Sequence, residues 1–407
     1  MAKETTLIKK GISNFKIVGK AIKNDYTFDL DKQSQKSDYV YSQMRLNIKT
    51  KHGNIACQAM GGYSPSKPNT IYCFGKDENG KMDTKNRFQV AFEDRLDEDI
   101  IAKVADMNLF TAGLEKDENG KTIYVKFLHQ KDFIEYISEK LENDMVVTVR
   151  GNIEYGSYNG ERQIRKNVTS IILAKDDVTE EDYEATFMQT VLTAKGFLGK
   201  PDAERGVVPL DLYIVDYIRE FEGQKIIKMV NGNERETGVM FPALQTIDFK
   251  LYKDIETTKR LLRAFNPSKK NMVTEIVVDG IFTKGEVLET ETVSIDELPD
   301  DIKFMIEIGA MTEEEALGKV SFKGGNKLPE TMLITRPSVK KTEDGLLGFN
   351  VVDGKYTEDD LLIENILNAN EVKLKKEEEQ EEFGFEEEEN EEEDDDIFGD
   401  DDWSDIF

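Results

Sequence analysis

MVVTVRGNIEYGSYNGERQIRKNVTSIIL, residues 145–173, is the stretch from which the fold is read. Two runs rich in β-branched residues, MVVTVRGNIEY and RQIRKNVTSIIL, flank YNGE, and an Asn-Gly pair between such runs signals a tight hairpin. Two adjacent antiparallel strands are therefore expected. Upstream, DFIEYISEKLEN (132–143) sets Phe133, Ile134, Ile137 and Leu141 at helical spacing. FKIVGKAI (15–22) reads as a short apolar strand with Gly19 at a bend or bulge. YVYSQMRLNIK (39–49) alternates with period two. Val40, Ser42, Met44, Leu46 and Ile48 share one face, and Tyr39, Tyr41, Gln43, Arg45, Asn47 and Lys49 the other. IACQAMGGY follows a turn at 52–54. TIYVKFL (122–128) alternates too, with Ile123, Val125 and Phe127 expected inward and Tyr124 and Lys126 outward.

Strand, strand, strand, helix, strand, strand is the order of a five-stranded OB-fold barrel. An excursion at about 62–120 interrupts it, holding the loop SPSKP, a strand IYCFGK and a helix DIIAKVADM. KDENGK occurs at 76–81 and again at 116–121. Neither copy has the alternating acids and closing Glu of an EF-hand, and hairpin turns at Asn-Gly explain both. From Tyr183 the pattern recurs: TFMQTVLTAKGF with Gly196 as its bend, VPLDLYIVDYI, the segment around KIIKMV, LQTIDFKLYK, the helix TTKRLLRAF, and NMVTEIVVDGIF. The last has the rhythm of DMVVTVRGNI, with Gly280 in the place of Gly151. TMLITRPSV is the candidate final strand, after a stretch 290–325 that includes a helical insertion, MTEEEALGK.

The expected architecture is mainly β with helical insertions: two OB-fold-like five-stranded barrels, over 1–178 and 183–341. A linker and short helix follow over 342–373, the helix TEDDLLIENILNANEV being capped by Thr357 with Asp360. Residues 374–407 are expected to be a disordered acidic tail, because like charges repel and little apolar surface remains to bury.

The formal charge of the 407 residues is −28. Residues 377–407 hold nineteen Asp or Glu and no Lys or Arg, so subtracting them leaves −9 for the remainder. Two cysteines, Cys57 and Cys73, and two histidines, His52 and His129, show no paired metal spacing, and free thiols in a reducing cytoplasm are expected. The N-terminus MAKETTLIKK lacks an apolar signal core, and no run reaches membrane-spanning length. A cytoplasmic protein is expected, without a membrane partner. No Walker loop, GxGxxG or GxSxG is present, and two distant histidines do not suit an assisted nucleophile. The expectation is a non-enzyme with no catalytic residue, metal or cofactor. EDRLDEDI (93–100) could hold Mg²⁺ in a nuclease, but a helix N-terminus accounts for its acids better.

What recurs is aromatic and basic side chains together on strands. Tyr39, Tyr41, Arg45 and Lys49 lie on one; Tyr124 and Lys126 on another; Arg150, Tyr155, Tyr158, Arg162, Arg165 and Lys166 on the 145–173 hairpin. The second copy offers Tyr213, Tyr217, Lys225, Lys228, Phe249 and Tyr252. Unpaired bases stack on such rings for on the order of 1–3 kcal/mol each, without sequence preference, and cations follow the phosphates. Net negative charge does not prevent this, since contact depends on local potential within roughly 10 Å at 0.1 M salt.

These barrel strands, the segment VRGNIEYGSYNGERQIRKNVTSIIL, and an acidic tail with an apolar tip resemble single-stranded DNA-binding proteins of bacteria and their phages. The tip residues that match are Asp400, Asp401, Asp402, Trp403, Asp405, Ile406 and Phe407. The chain departs from bacterial members in its length and its ending Ile406-Phe407 in place of Pro-Phe, and two barrels, a long insertion and a single Trp make a phage-encoded member the expected one. The resemblance implies non-sequence-specific binding of single-stranded DNA, its protection, and recruitment of replication, recombination or repair proteins through the tip: a polymerase, primase or helicase. An acidic chaperone or interaction protein is the alternative, and a metal-dependent nuclease a third; neither gives the aromatic–basic strand faces a role.

Overall fold

The computed structural model describes residues 7–158, 161–284, 330–341 and 345–376. The tip of the YNGE turn, the 290–325 stretch and the tail from residue 377, with its seven tip residues, lie outside the described residues. The chain is mainly β. Its first half runs β1 (Ser13–Ile22), β2 (Phe28–Gln33), β3 (Val40–Thr50), β4 (Gly53–Tyr63), β5 (Thr70–Lys76) and β6 (Met82–Ala91). Then come α1 (Glu98–Lys103), β7 (Phe110–Lys116), β8 (Thr122–Phe127), α2 (Gln130–Lys140), β9 (Val146–Tyr158) and β10 (Glu161–Leu173).

β1 pairs with β9 through residues 14–20 and with β3 through residues 20–22. β3 joins β1 beside Gly19, where a Cβ would lie 2.2 Å from the Lys49 carbonyl oxygen. β3 pairs with β4, β4 meets β10 in parallel at Gln58 and Asn167, and β10 pairs with β9. The path therefore returns to β1. Its interior is filled by the alternate apolar residues of each strand, among them Ile17, Met44, Leu46, Ile48, Ile55, Val147, Val149 and Val168. α2 adds Phe133, Ile134 and Ile137 to the same core, the apolar stripe that its spacing predicts.

The second half runs β11 (Ala185–Thr193), β12 (Val207–Ile218), β13 (Glu220–Phe221), β14 (Gln224–Val230), β15 (Asn233–Glu236), β16 (Val239–Lys250), α3 (Ile255–Leu262) and β17 (Met272–Lys284). It ends with β18 (Glu330–Pro337), β19 (Val339–Lys341), β20 (Leu347–Phe349), β21 (Val351–Thr357), α4 (Ile363–Asn370) and β22 (Lys373–Lys376). Here the path is β11 to β12, β16, β18, β17 and back to β11, again with one parallel step, β16 to β18. TMLITRPSV supplies most of β18, as expected.

The two paths are joined by antiparallel pairing of β1 with β11, in which Phe15 faces Phe187. On its other side Phe15 faces Gly151, and Phe187 faces Gly280. Four strands thus carry one row, Gly–Phe–Phe–Gly, symmetric about its middle. The glycines leave room for the rings and for neighbouring backbone: a Cβ on Gly280 would lie 2.2 Å from the Phe187 ring, and one on Gly151 1.9 Å from the Asn167 carbonyl oxygen and 2.9 Å from the Phe15 ring. Polar ties reinforce the seam. Gln189 Oε1 accepts from Ser13 Oγ (2.8 Å) and Tyr155 Oη (3.1 Å), Asp216 accepts from the Tyr155 N–H (2.7 Å) and Lys10 (2.7 Å), and buried Lys166 pairs with Glu330.

Several boundaries differ from expectation. The third strand of the first path is β4; residues 122–128 form β8 in a hairpin with β7, which attaches to β10 in parallel. The excursion thus spans 64–129, and Ile123, expected inward, is 44 % exposed because nothing packs over an edge hairpin there. KIIKMV lies in a separate small sheet of β13, β14, β15 and β22. Gly196, expected as a strand bend, has φ 88° in the turn after β11. The expected linker 342–355 instead contributes β20 and β21. β18 covers β17 only from residue 278 onward, which leaves a strand edge over 272–276 for β21 to pair. β22 likewise carries ordered pairing to residue 376, past the expected start of the tail. Thr357 and Asp360 do form a capping box, on a 3₁₀ turn preceding α4.

Candidate nucleic-acid interface

Alternation along β3 buries Ser42, Met44, Leu46 and Ile48 and leaves Arg45 and Lys49 exposed, with Tyr39, Tyr41, Gln43 and Asn47 half-buried on the outer wall. The Tyr39 and Tyr41 rings stack with centroids 6.3 Å apart and planes 17° from parallel. Gly62, opposite Tyr41 on β4, makes room: a Cβ there would lie 2.8 Å from the Tyr39 ring. Burial pushes the Tyr39 hydroxyl's pKa up. Arg45 faces Gln58, whose amide donates to Asn167 Oδ1 across the parallel step at 3.2 Å. Among the described residues Arg45 has no ion-pair partner. No outward side chain of β3 or β4 is acidic. Residues 39–76 contain no Asp or Glu, in a chain with 82, and hold five Lys or Arg. That run is a signal the residue-by-residue reading of strands passed over.

Beyond β9 the wall continues onto β1. Arg150 and Lys16 face each other there, both exposed, and neither has an ion-pair partner among the described residues. Like charges directly opposite on neighbouring strands cost stability unless an anion joins them. Lys16 was legible as the outward neighbour of Phe15 and Ile17. Beside it, along the β1–β11 seam, lies a groove of about 600 Å³ to which Lys51, Lys250 and Arg336 also contribute. Its carboxylates are already engaged, Glu184 with Lys51 (2.9 Å) and His52 (3.8 Å), Asp279 with Arg336 (3.2 Å). The contacts from His52 and Lys51 outweigh burial and hold Glu184 down at about 2.

Other expected contacts lie elsewhere. Lys166 is 4 % exposed; its ammonium pairs with Glu330 and lies 4.6 Å over the Phe282 ring, so it is a seam residue and not an outward cation. Tyr155 turns its hydroxyl into the seam. Arg165 is half-buried beside Gly156. Tyr124 is 56 % exposed on β8, and Lys126 there is held by Asp106 at 2.9 Å; both stand apart from the β3–β4 wall. The side chains of Tyr158 and Arg162 lie outside the described residues. In the second half Phe249 is fully buried in the core, where alternation along β16 places it. Tyr252 donates to the Thr335 carbonyl at 2.7 Å, Tyr213 packs in a second core cluster, and Lys225 pairs with Glu236 at 3.2 Å. Tyr217, 46 % exposed on β12, and half-buried Lys228 on β14 fall in different sheets.

The remaining chemistry is quiet. Burial pushes the Cys57 thiol up to about 12, which leaves no thiolate at neutral pH. EDRLDEDI does start a helix: Asp97 accepts from the N–H groups of Asp99 and Ile100 at the head of α1. Among the described residues no three His, Cys, Asp or Glu are grouped to hold a metal ion, and no helix is long and apolar enough to cross a membrane. No family model matches the chain, and no curated protein matches it.

Proposed function

We propose that this protein binds single-stranded DNA without reading its sequence, acts without catalysis, and recruits replication or recombination proteins in the cytoplasm through its acidic, apolar-tipped terminus. The acid-free wall of β3 and β4, with stacked Tyr39 and Tyr41 above Arg45 and Lys49, carries the proposal. Stacked rings offer π-faces to bases of any identity, and the cations meet the phosphates between them. Two pairing paths, each with a helix between its third and fourth strands and one parallel step, support reading both halves as OB-fold barrels. Lys16 and Arg150, facing each other and without an ion-pair partner among the described residues, would extend the track onto β1.

Titration of labelled oligo-dT with the intact chain at several salt concentrations tests this. Tyr41→Ala should weaken binding by on the order of tenfold, as loss of one stacked base predicts. Arg45→Gln, Lys16→Gln and Arg150→Gln should each flatten the slope of log K against log salt by about 0.7, the value for one phosphate contact to a single strand. Failure of the unaltered chain to bind oligo-dT would remove the proposal. Mg²⁺-dependent shortening of the oligonucleotide would show an enzyme instead.

A further inference from the structure

The excursion between β4 and α2 carries a hairpin that the wall does not use. β5 and β6 pair with Tyr72 opposite Gln89 and Phe74 opposite Arg87. Their turn is fixed by Asp77, whose carboxylate accepts from the N–H groups of Asn79 and Lys81, while Gly80 takes φ 74°. Alternation gives the hairpin two unlike faces. Cys73 and Val90 are buried on one, in a cluster with Val104, Leu109 and Leu128 that clamps the hairpin to the body. The other face is open. Tyr72 is 72 % exposed, and the Arg87 guanidinium lies 4.9 Å from the centre of the Phe74 ring. Among the described residues Arg87 has no carboxylate partner.

An ordinary solvated hairpin hides its large rings or surrounds them with charges of both signs. This one presents two rings and an uncompensated guanidinium around a concavity of about 450 Å³. β5 also lies within the acid-free run 39–76. A flat apolar ring open to solvent beside a fixed cation matches an unpaired nucleobase with its own phosphate.

We infer that the open face of the β5–β6 hairpin is a second stacking station for single-stranded DNA, with Tyr72 taking a base and Arg87 the adjoining phosphate. This rests on the function proposed above and adds a contact outside the β3–β4 wall. The rigid backing matters, because a platform clamped by a buried cluster need not be ordered when the strand arrives.

The test compares Tyr72→Ala, Tyr72→Phe and Tyr41→Ala in the intact chain, on oligo-dT of about 30 nucleotides, longer than one barrel's usual site, and on an abasic strand of the same length. Tyr72→Ala should lose on the order of tenfold on oligo-dT and nothing on the abasic strand, and Tyr72→Phe should keep the affinity of the parent. Equal losses on both strands, or no loss on either, overturn the station. If Tyr41→Ala weakens binding and Tyr72→Ala does not, the station falls while the proposed function stands. If the parent does not bind oligo-dT, both fall. Tyr72 is too exposed for its truncation to unfold the chain, and an unchanged melting temperature would verify that.

Discussion

His129 stands at the entrance to α2 with its ring edge-on to Phe92, centroids 4.9 Å apart, and its Nδ1 accepting from the Lys131 N–H at 3.2 Å. Arg95 lies 3.9 Å over the same Phe92 and grips Asp132 through two hydrogen bonds of 2.9 and 3.1 Å. Burial, helped by Arg95 and Lys131 and opposed by Asp132, pushes the imidazole down from an ordinary 6.5 to about 4. The folded pKa is thus below the unfolded one. As pH drops through 6.5 the unfolded chain gains a proton that the folded chain refuses until about 4, so stability is full above 6.5 and falls below it. Between pH 7 and 5 the loss should be about 2 kcal/mol. Thermal melts of His129→Asn, which keeps a capping acceptor, should show that part of the pH dependence gone. At this scale alternation was enough to place Tyr41, Arg45 and Ile48 on their faces. It failed for Tyr155 and Lys166, because period two tells which side a residue faces and not what lies against that side. The second half of the chain covers that part of the wall, and both side chains serve the junction.

Among elements, the hairpins, α2 and α3 were legible because each is set by local chemistry: Asn-Gly turns and a helical apolar stripe. Partners distant in sequence were not. β4 closes the first path through one parallel pair, Gln58 with Asn167, which leaves no periodic trace. β21 read as a linker because only the free edge of β17 gives DGKYT a reason to be extended. The tie between β10 and β18 was equally hidden, and it can be measured. Glu330→Ala strands a buried ammonium and should cost about 3–5 kcal/mol in denaturant melts, whereas Lys166→Met combined with Glu330→Met should recover most of it. The double variant should also leave oligo-dT affinity unchanged, as befits a residue away from the track.

For the whole molecule the charge distribution decides how a polyanion approaches. Removing residues 377–407 changes the formal charge from −28 to −9. Association with oligo-dT should then accelerate several-fold at low salt, and the difference should vanish toward 1 M, where screening reaches about 3 Å. Stopped-flow association rates across that range check it. On the recruitment proposed above, Ala at Ile406 and Phe407 should leave those rates alone and abolish capture of a replication protein.

The mirror-like row through Phe15 and Phe187 has one more implication. Separate copies that met edge to edge in this way would come apart on dilution, and both would have to keep the same residues at the join. Carried on one chain, the halves stay together at any concentration and are free to drift apart. They differ one residue along from each phenylalanine and glycine, where the first half has Lys16 and Arg150 and the second has Met188 and Asp279. The register of the shared sheet thus sets a cation pair on one side of the join and a Met–Asp pair on the other.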